Sequence, residues 1–187
     1  MEAYQGKALA SFTVQSLKAK KAAMLLPQGD DYAMALSTTY ADKLESLTKD
    51  ENVIATTQSY VAEDTHFSKQ LNKIKESGAT VVFLPGGITD AQAIISQAQS
   101  MSLNLTFLGP ESWSNDEFIE PAVRAELKNY YFPTAYDSAN SKTEMADIFL
   151  QAYQKEYGTS VPEEATALGC DAYLLAIDAI TRAETAD

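Results

Sequence analysis

Short continuous apolar runs, each cut off by proline or glycine and followed by helical spacing, recur along this chain. This rhythm constrains its fold more than any other feature. Residues 22–26, AAMLL, end at Pro27 and Gly29. Residues 79–84, ATVVFL, end at Pro85-Gly86-Gly87, and residues 105–108, LTFL, end at Gly109-Pro110. A strand covered on both faces needs no polar alternation, so such runs predict buried parallel strands. Residues 52–60, NVIATTQSY, are β-branched and strand-like, and 129–133, NYYFP, supply a fifth candidate. Helical periodicity fills the intervals. Leu36, Tyr40, Leu44 and Leu47 share one face after a cap at Asp30 or Asp31. Phe67, Leu71 and Ile74 follow the cap candidates Asp64 and Thr65, and Ala91, Ile94, Ile95, Ala98 and Met101 make another stripe. Near the start, Leu9, Phe12 or Thr13, and Leu17 predict a helix whose C-terminal end carries Lys18, Lys20 and Lys21. The pattern predicts an α/β fold: a doubly wound parallel sheet of about five strands with helices on both faces.

The rhythm changes after Pro133. Residues 134–142, TAYDSANSK, are polar and linker-like, and two helices follow with no strand between them. The first has Met145, Ile148, Phe149, Ala152 and Tyr153 on one face; the second, 165–183, is apolar on most sides. Such a helix requires burial, yet nothing else in the sequence offers a second sheet. The expectation is a fragment whose ends pack on something outside it. Its exposed apolar helices should promote self-association, with exchange of helices between copies.

Charge narrows the partners. The 187 residues carry 14 Lys+Arg against 26 Asp+Glu, a formal net charge of −12. A phosphate backbone or an anionic bilayer is repelled by that balance, so nucleic acid is not an expected partner. The single cysteine, Cys170, excludes an internal disulfide and a CxxC site. It lies in an apolar run and reads as a buried structural thiol. No run has the length of a membrane helix, and Met1 is followed by no basic-then-apolar start.

In open parallel sheets, ligands bind beyond the carboxyl ends of the strands. Here those ends are PQGDDY, VAEDT, GGITD and GPESW, which should bring Tyr32, Ile88-Thr89 and Glu111 toward one rim. Each also has a plain structural explanation. Tyr32 can pack the first turn of its helix, and Glu111 can cap a short helix near Trp113-Ser114. Gly86-Gly87 could cradle a phosphate, though no G-x-G-x-x-G or P-loop surrounds them. Glu63 and Asp64 read as turn and cap, and His66, the only histidine, as a solvated helix start. No nucleophile motif and no metal-ligand spacing stands out, so neither an enzyme nor a cofactor is expected.

With these strand ends in view, six segments resemble a known family. They are YQGKALASF, KKAAMLLPQGDDYAMAL, DTHFSKQLNKIKESGATVVFLPGG, AQAIISQAQSMSLNLTFLGPESW, FLQAYQKEYG and ALGCDAYLLAIDAI. In family order, they resemble the branched-chain amino-acid-binding proteins of ABC importers, with the type I periplasmic-binding-protein fold. The resemblance implies a two-lobed clamp whose chain crosses between lobes. It assigns residues 20–133 to the second lobe, and 1–19 and 134–187 to helices of the first lobe and hinge. It implies that Glu111 pairs with the α-ammonium of an amino-acid ligand and that Tyr32 reaches that ligand. Gly87, Ile88 and Thr89 belong to the loop where the family often places an aromatic, and they are expected beside the ligand. It further implies no enzymatic activity, an extracytoplasmic location and a membrane permease as partner. A ligand-sensing domain of a receptor or transcriptional regulator with the same fold is the alternative.

Overall fold

The structure, a computed structural model, describes residues 2–114, 127–140, 143–159, 162 and 164–183. The chain divides into two compact units, Met1–Pro133 and Thr134–Asp187.

The first unit holds helix α1 (Glu2–Gln15), strand β1 (Ala22–Pro27), helix α2 (Asp31–Thr48), strand β2 (Ile54–Tyr60) and helix α3 (Ser68–Ser77). Strand β3 (Val81–Phe83), helix α4 (Ile88–Ser100), strand β4 (Thr106–Leu108), a 3₁₀ turn (Glu111–Ser114) and strand β5 (Tyr130–Tyr131) follow. Among the described residues all four strand pairings are parallel, and the sheet order is β2-β1-β3-β4-β5. The expected five-stranded parallel sheet is therefore present.

Alternation along each strand divides the core in two. Ala23, Leu25, Val82 and Phe107 join Phe67, Leu71 and Ile74 of α3 and Ala91, Ile94 and Ile95 of α4. Ala22, Val81, Phe83 and Leu108 join Leu9 and Ala10 of α1 and Leu36, Tyr40 and Leu44 of α2. Successive Cβ atoms point to opposite faces, so each apolar run feeds both cores. Chain progression reverses between α2 and α3, which puts these two helices on opposite faces of the sheet.

Local signals at the helix ends set some boundaries and not others. Asp30 is the N-cap of α2, its Oδ1 accepting from the Ala33 N–H at 2.9 Å. The α3 helix starts later than the Asp64/Thr65 signal suggests, with Phe67 as its uncapped N-cap. Asp64 instead accepts from the Val61 N–H at 3.0 Å, bracing the turn in which Glu63 takes φ +67°. A short side chain that bonds its own turn is no longer available to a helix four residues on. The lysines also fall outside α1, which ends at Gln15, with Lys18 left-handed at φ +51°.

Helix α1, which the resemblance assigns to the first lobe and hinge, packs on α2 in the unit that carries the sheet. Gly6 permits the approach. A Cβ there would sit 3.0 Å from the Leu36 carbonyl oxygen, the Thr39 Cβ and the Tyr40 nitrogen. The Thr13 hydroxyl then meets the buried Tyr40 hydroxyl at 2.9 Å.

Burial pushes the Tyr40 phenol well above its ordinary value of about 10. The same holds for Tyr60, where desolvation leads and the charges of Asp90 and Asp30 add to it. Above about pH 10 the unfolded chain releases these protons while the folded chain keeps them. The unfolded state then binds fewer protons, so stability falls as pH rises past that point. Urea midpoints compared at pH 8 and pH 11 should show this loss, and Tyr40→Phe should reduce it, leaving the share of Tyr60. An equal loss in Tyr40→Phe would place the alkaline sensitivity elsewhere.

The second unit contains a 3₁₀ turn (Ser138–Asn140) and helices α5 (Glu144–Tyr157) and α6 (Glu164–Ala183). Thr143 caps α5 by accepting from the Ala146 N–H at 3.1 Å, and Gly158 at φ +73° ends it. Thr134 donates its hydroxyl to Glu164 Oε2 at 2.9 Å. Apolar side chains on both helices remain open, among them Ile148 at 53% and Leu175 at 73% exposure. Cys170, expected to be buried, is half-buried on α6 for the same reason.

Candidate functional site

The sheet order sets where a ligand could sit. The chain moves from β1 outward to β2, then returns past β1 to β3, so the β1/β3 boundary is a topological switch point. Loops diverge there and leave a crevice at the carboxyl edge. The loops after β1, β3 and β4 form this rim.

Two aromatic side chains hold the rim together. Trp113 is fully buried and donates its Nε1–H to the Gly86 carbonyl at 2.9 Å. Its ring lies on Gly109, where a Cβ would come within 2.2 Å of it. It thereby ties the loop after β4 to the loop after β3. Tyr60, at the end of β2, packs its hydroxyl over Gly86, where a Cβ would lie 1.9 Å from that oxygen. The two residues after Pro85 therefore differ. Gly86 is a packing position, closed to a phosphate, whereas Gly87 is the exposed N-cap of α4 with open space around it.

The expected site residues separate at this edge. Glu111 opens the 3₁₀ turn and is half-buried; Tyr32, in the first turn of α2, is 39% exposed. These two converge on one side chain, Gln5 of α1, which is itself only 6% exposed. Gln5 donates Nε2–H to Glu111 Oε2 at 2.8 Å, and its Oε1 accepts the Glu111 backbone N–H at 3.2 Å. The Tyr32 hydroxyl points to the same Oε1 from 3.5 Å, longer than an ordinary O–H···O hydrogen bond. Thr89 is exposed on the first turn of α4. Ile88 turns inward to the α3/α4 core at 8% exposure, because its position on the first helical turn faces the sheet. Its side chain is thus a core residue in this unit.

Gln5, Trp113 and Tyr60 were not singled out from sequence as site residues. A glutamine four residues before Leu9 on a helix's apolar face, followed by glycine, was the available signal for Gln5. His66 is exposed beside the Thr65 hydroxyl, 2.8 Å from its Nδ1. Among the described residues no group of His, Cys, Asp and Glu could hold a metal ion. Two grooves of about 350 and 510 Å³ lie at the other, amino-terminal edge of the sheet. Gln99 and Lys128 line the first, and Lys18, Lys20 and Lys21 line the second.

What this rim can do is limited and specific. A carboxylate held by an amide, near a phenol and above a sheet edge, is an acceptor for a cationic head group.

Comparison with known proteins agrees with the fold. Residues 2–187 match the profile of the family described as periplasmic binding protein. No match was found among curated protein sequences. A leucine-binding protein from Thermotoga maritima is 25% identical with a TM-score of 0.78, the match covering 100% of this chain and 52% of that one. The substrate-binding protein of a branched-chain amino acid transporter from Streptococcus pneumoniae, solved in complex with isoleucine, is 26% identical. Its TM-score is 0.75, over 96% of this chain and 50% of that one. An ABC-transporter substrate-binding protein from Desulfitobacterium hafniense shares the fold at a TM-score of 0.77 and 15% identity, over 97% of this chain and 50% of that one. The chain thus spans about half the length of these structures. With one parallel lobe of the type I fold and a profile match across almost its whole length, the chain belongs to the periplasmic binding protein family and resembles its branched-chain amino-acid-binding members.

Proposed function

We propose that this chain is part of the solute-binding component of an ABC importer. It serves binding, with no reaction of its own, and takes an α-amino acid, branched-chain or similar. Residues 20–133, with α1 packed on them, act as one lobe of a clamp; 134–187 belong to the hinge and the other lobe. Ligand bridges the lobes and biases the open–closed equilibrium toward closure, and a membrane permease reads the closed form. The working location is extracytoplasmic.

The observation that carries this reading is the convergence of Glu111 and Tyr32 on Gln5 at the carboxyl edge. Glu111 pairs with the ligand's α-ammonium, and Tyr32 flanks it. Gly87 and Thr89, exposed at the start of α4, border the same edge. Ile88 contributes backbone there, since its side chain faces the core.

Calorimetric titration of the full-length protein with leucine, isoleucine, valine and polar amino acids tests the proposal. Tight binding confined to aliphatic amino acids is expected. No binding across the panel would move the ligand outside α-amino acids and favour a sensor with the same fold.

The exposed apolar side chains of α5 and α6 bear on the isolated 187-residue chain. Removing them from water favours association. Light scattering should show concentration-dependent self-association, and a monodisperse monomer at high concentration would exclude it.

A further inference from the structure

We infer that Gln5 is a positioning residue that holds the Glu111 carboxylate in its ligand-facing orientation. This rests on the reading of Glu111 as the ammonium partner.

The Gln5 amide makes a two-point clasp on a single residue. The Glu111 backbone N–H can only donate, so it requires the amide oxygen, which stands 3.2 Å away. The Glu111 carboxylate, when ionised, can only accept, so it requires the amide nitrogen, 2.8 Å away. Glutamine supplies a donor and an acceptor in one plane at the right reach. A glutamate at position 5 would set two carboxylates against each other, and a methionine would leave both Glu111 groups without this partner. Because Gln5 is buried, its amide is shielded from competing water. An amide fixed at both ends restricts the carboxylate it holds to one orientation. Such preorganisation raises affinity by lowering the ordering cost of binding.

The adjacent glycine makes the clasp possible. Gly6 lets α1 lie against the α2 backbone, where an added Cβ would be crowded at 3.0 Å. That close approach brings Gln5 to a residue 106 positions away in sequence. Tyr32, at the start of α2, stands with its hydroxyl 3.5 Å from the same amide oxygen, which places a third element beside the clasp. Gln5-Gly6 thus works as a pair: Gly6 sets the distance between the helices, and Gln5 spans to the β4 loop.

A double-mutant cycle on the full-length protein, titrated with L-leucine, tests this. Gln5→Met should weaken leucine binding by about tenfold to a hundredfold, the loss expected when a hydrogen bond to a charged group is removed. In the Glu111→Gln background the same substitution should change affinity by less than about threefold, because there is no longer a carboxylate to orient. Gln5→Glu keeps the size of the side chain and serves where the methionine variant does not fold; it should weaken leucine at least as much. A merely structural brace would give equal losses in both backgrounds, and that result overturns the inference. So does unchanged leucine affinity in a folded Gln5→Met or Gln5→Glu variant. If Glu111→Gln alone leaves leucine binding intact, or if no α-amino acid binds, the reading of Glu111 itself fails and the inference falls with it.

Discussion

On the proposed role of Glu111 as the ammonium partner, Glu111→Gln is expected to weaken binding of an aliphatic amino acid to the full-length protein by about 2 to 5 kcal/mol, the range for removing one partner of a desolvated charge pair. Size and shape are preserved by this change. The new amide can still present an oxygen to the Gln5 Nε2–H, now 2.8 Å from a carboxylate oxygen. The rim therefore keeps its form, and only the charge opposite the ligand's ammonium is lost. In a closed, water-poor cleft that charge is costly to lose, because the ammonium has no solvent to replace it. Titration calorimetry reads the affinity, and thermal unfolding without ligand should be nearly unchanged. Undiminished leucine binding would return Glu111 to the plain role of opening the 3₁₀ turn.

The second large effect concerns stability. Trp113→Ala should destabilise the unit by about 3 to 5 kcal/mol, the usual cost of emptying a buried tryptophan site. The ring fills the space over Gly109, and its Nε1–H satisfies the Gly86 carbonyl at 2.9 Å. Alanine opens a cavity and leaves that buried carbonyl without its donor. Gly109→Ala attacks the same contact from the other side, since its Cβ would lie 2.2 Å from the ring. Both variants should lower the urea midpoint of the 187-residue chain. A loss below about 1 kcal/mol for Trp113→Ala would show that the two loops are held by other contacts.

The two effects separate what holds the rim from what the rim presents. Trp113 and Tyr60 fix the spacing of the loops by packing on glycines. Glu111 and Tyr32 then meet at Gln5 beside that frame. Changes in the frame should move stability first, and changes at Glu111 should move affinity first.

By itself the sequence determined the elements and their sorting into a sheet. The runs at 22–26, 79–84 and 105–108 are continuous and apolar because parallel strands are covered on both faces. Phe67, Leu71 and Ile74, spaced for one helical face, are all fully buried. These signals are local, set by neighbours two to four positions away, and so they can be read in order along the chain. Boundaries shifted where a short polar side chain had two possible uses, as Asp64 did. Only the tertiary structure decided which strand-end residues meet. It turned Ile88 into the core, closed Gly86 under Tyr60, packed α1 on α2, and brought Gln5 to Glu111. The physical reason is distance along the chain. A contact between positions 5 and 111 depends on how two helices and a sheet edge pack, and no periodicity within either segment records it.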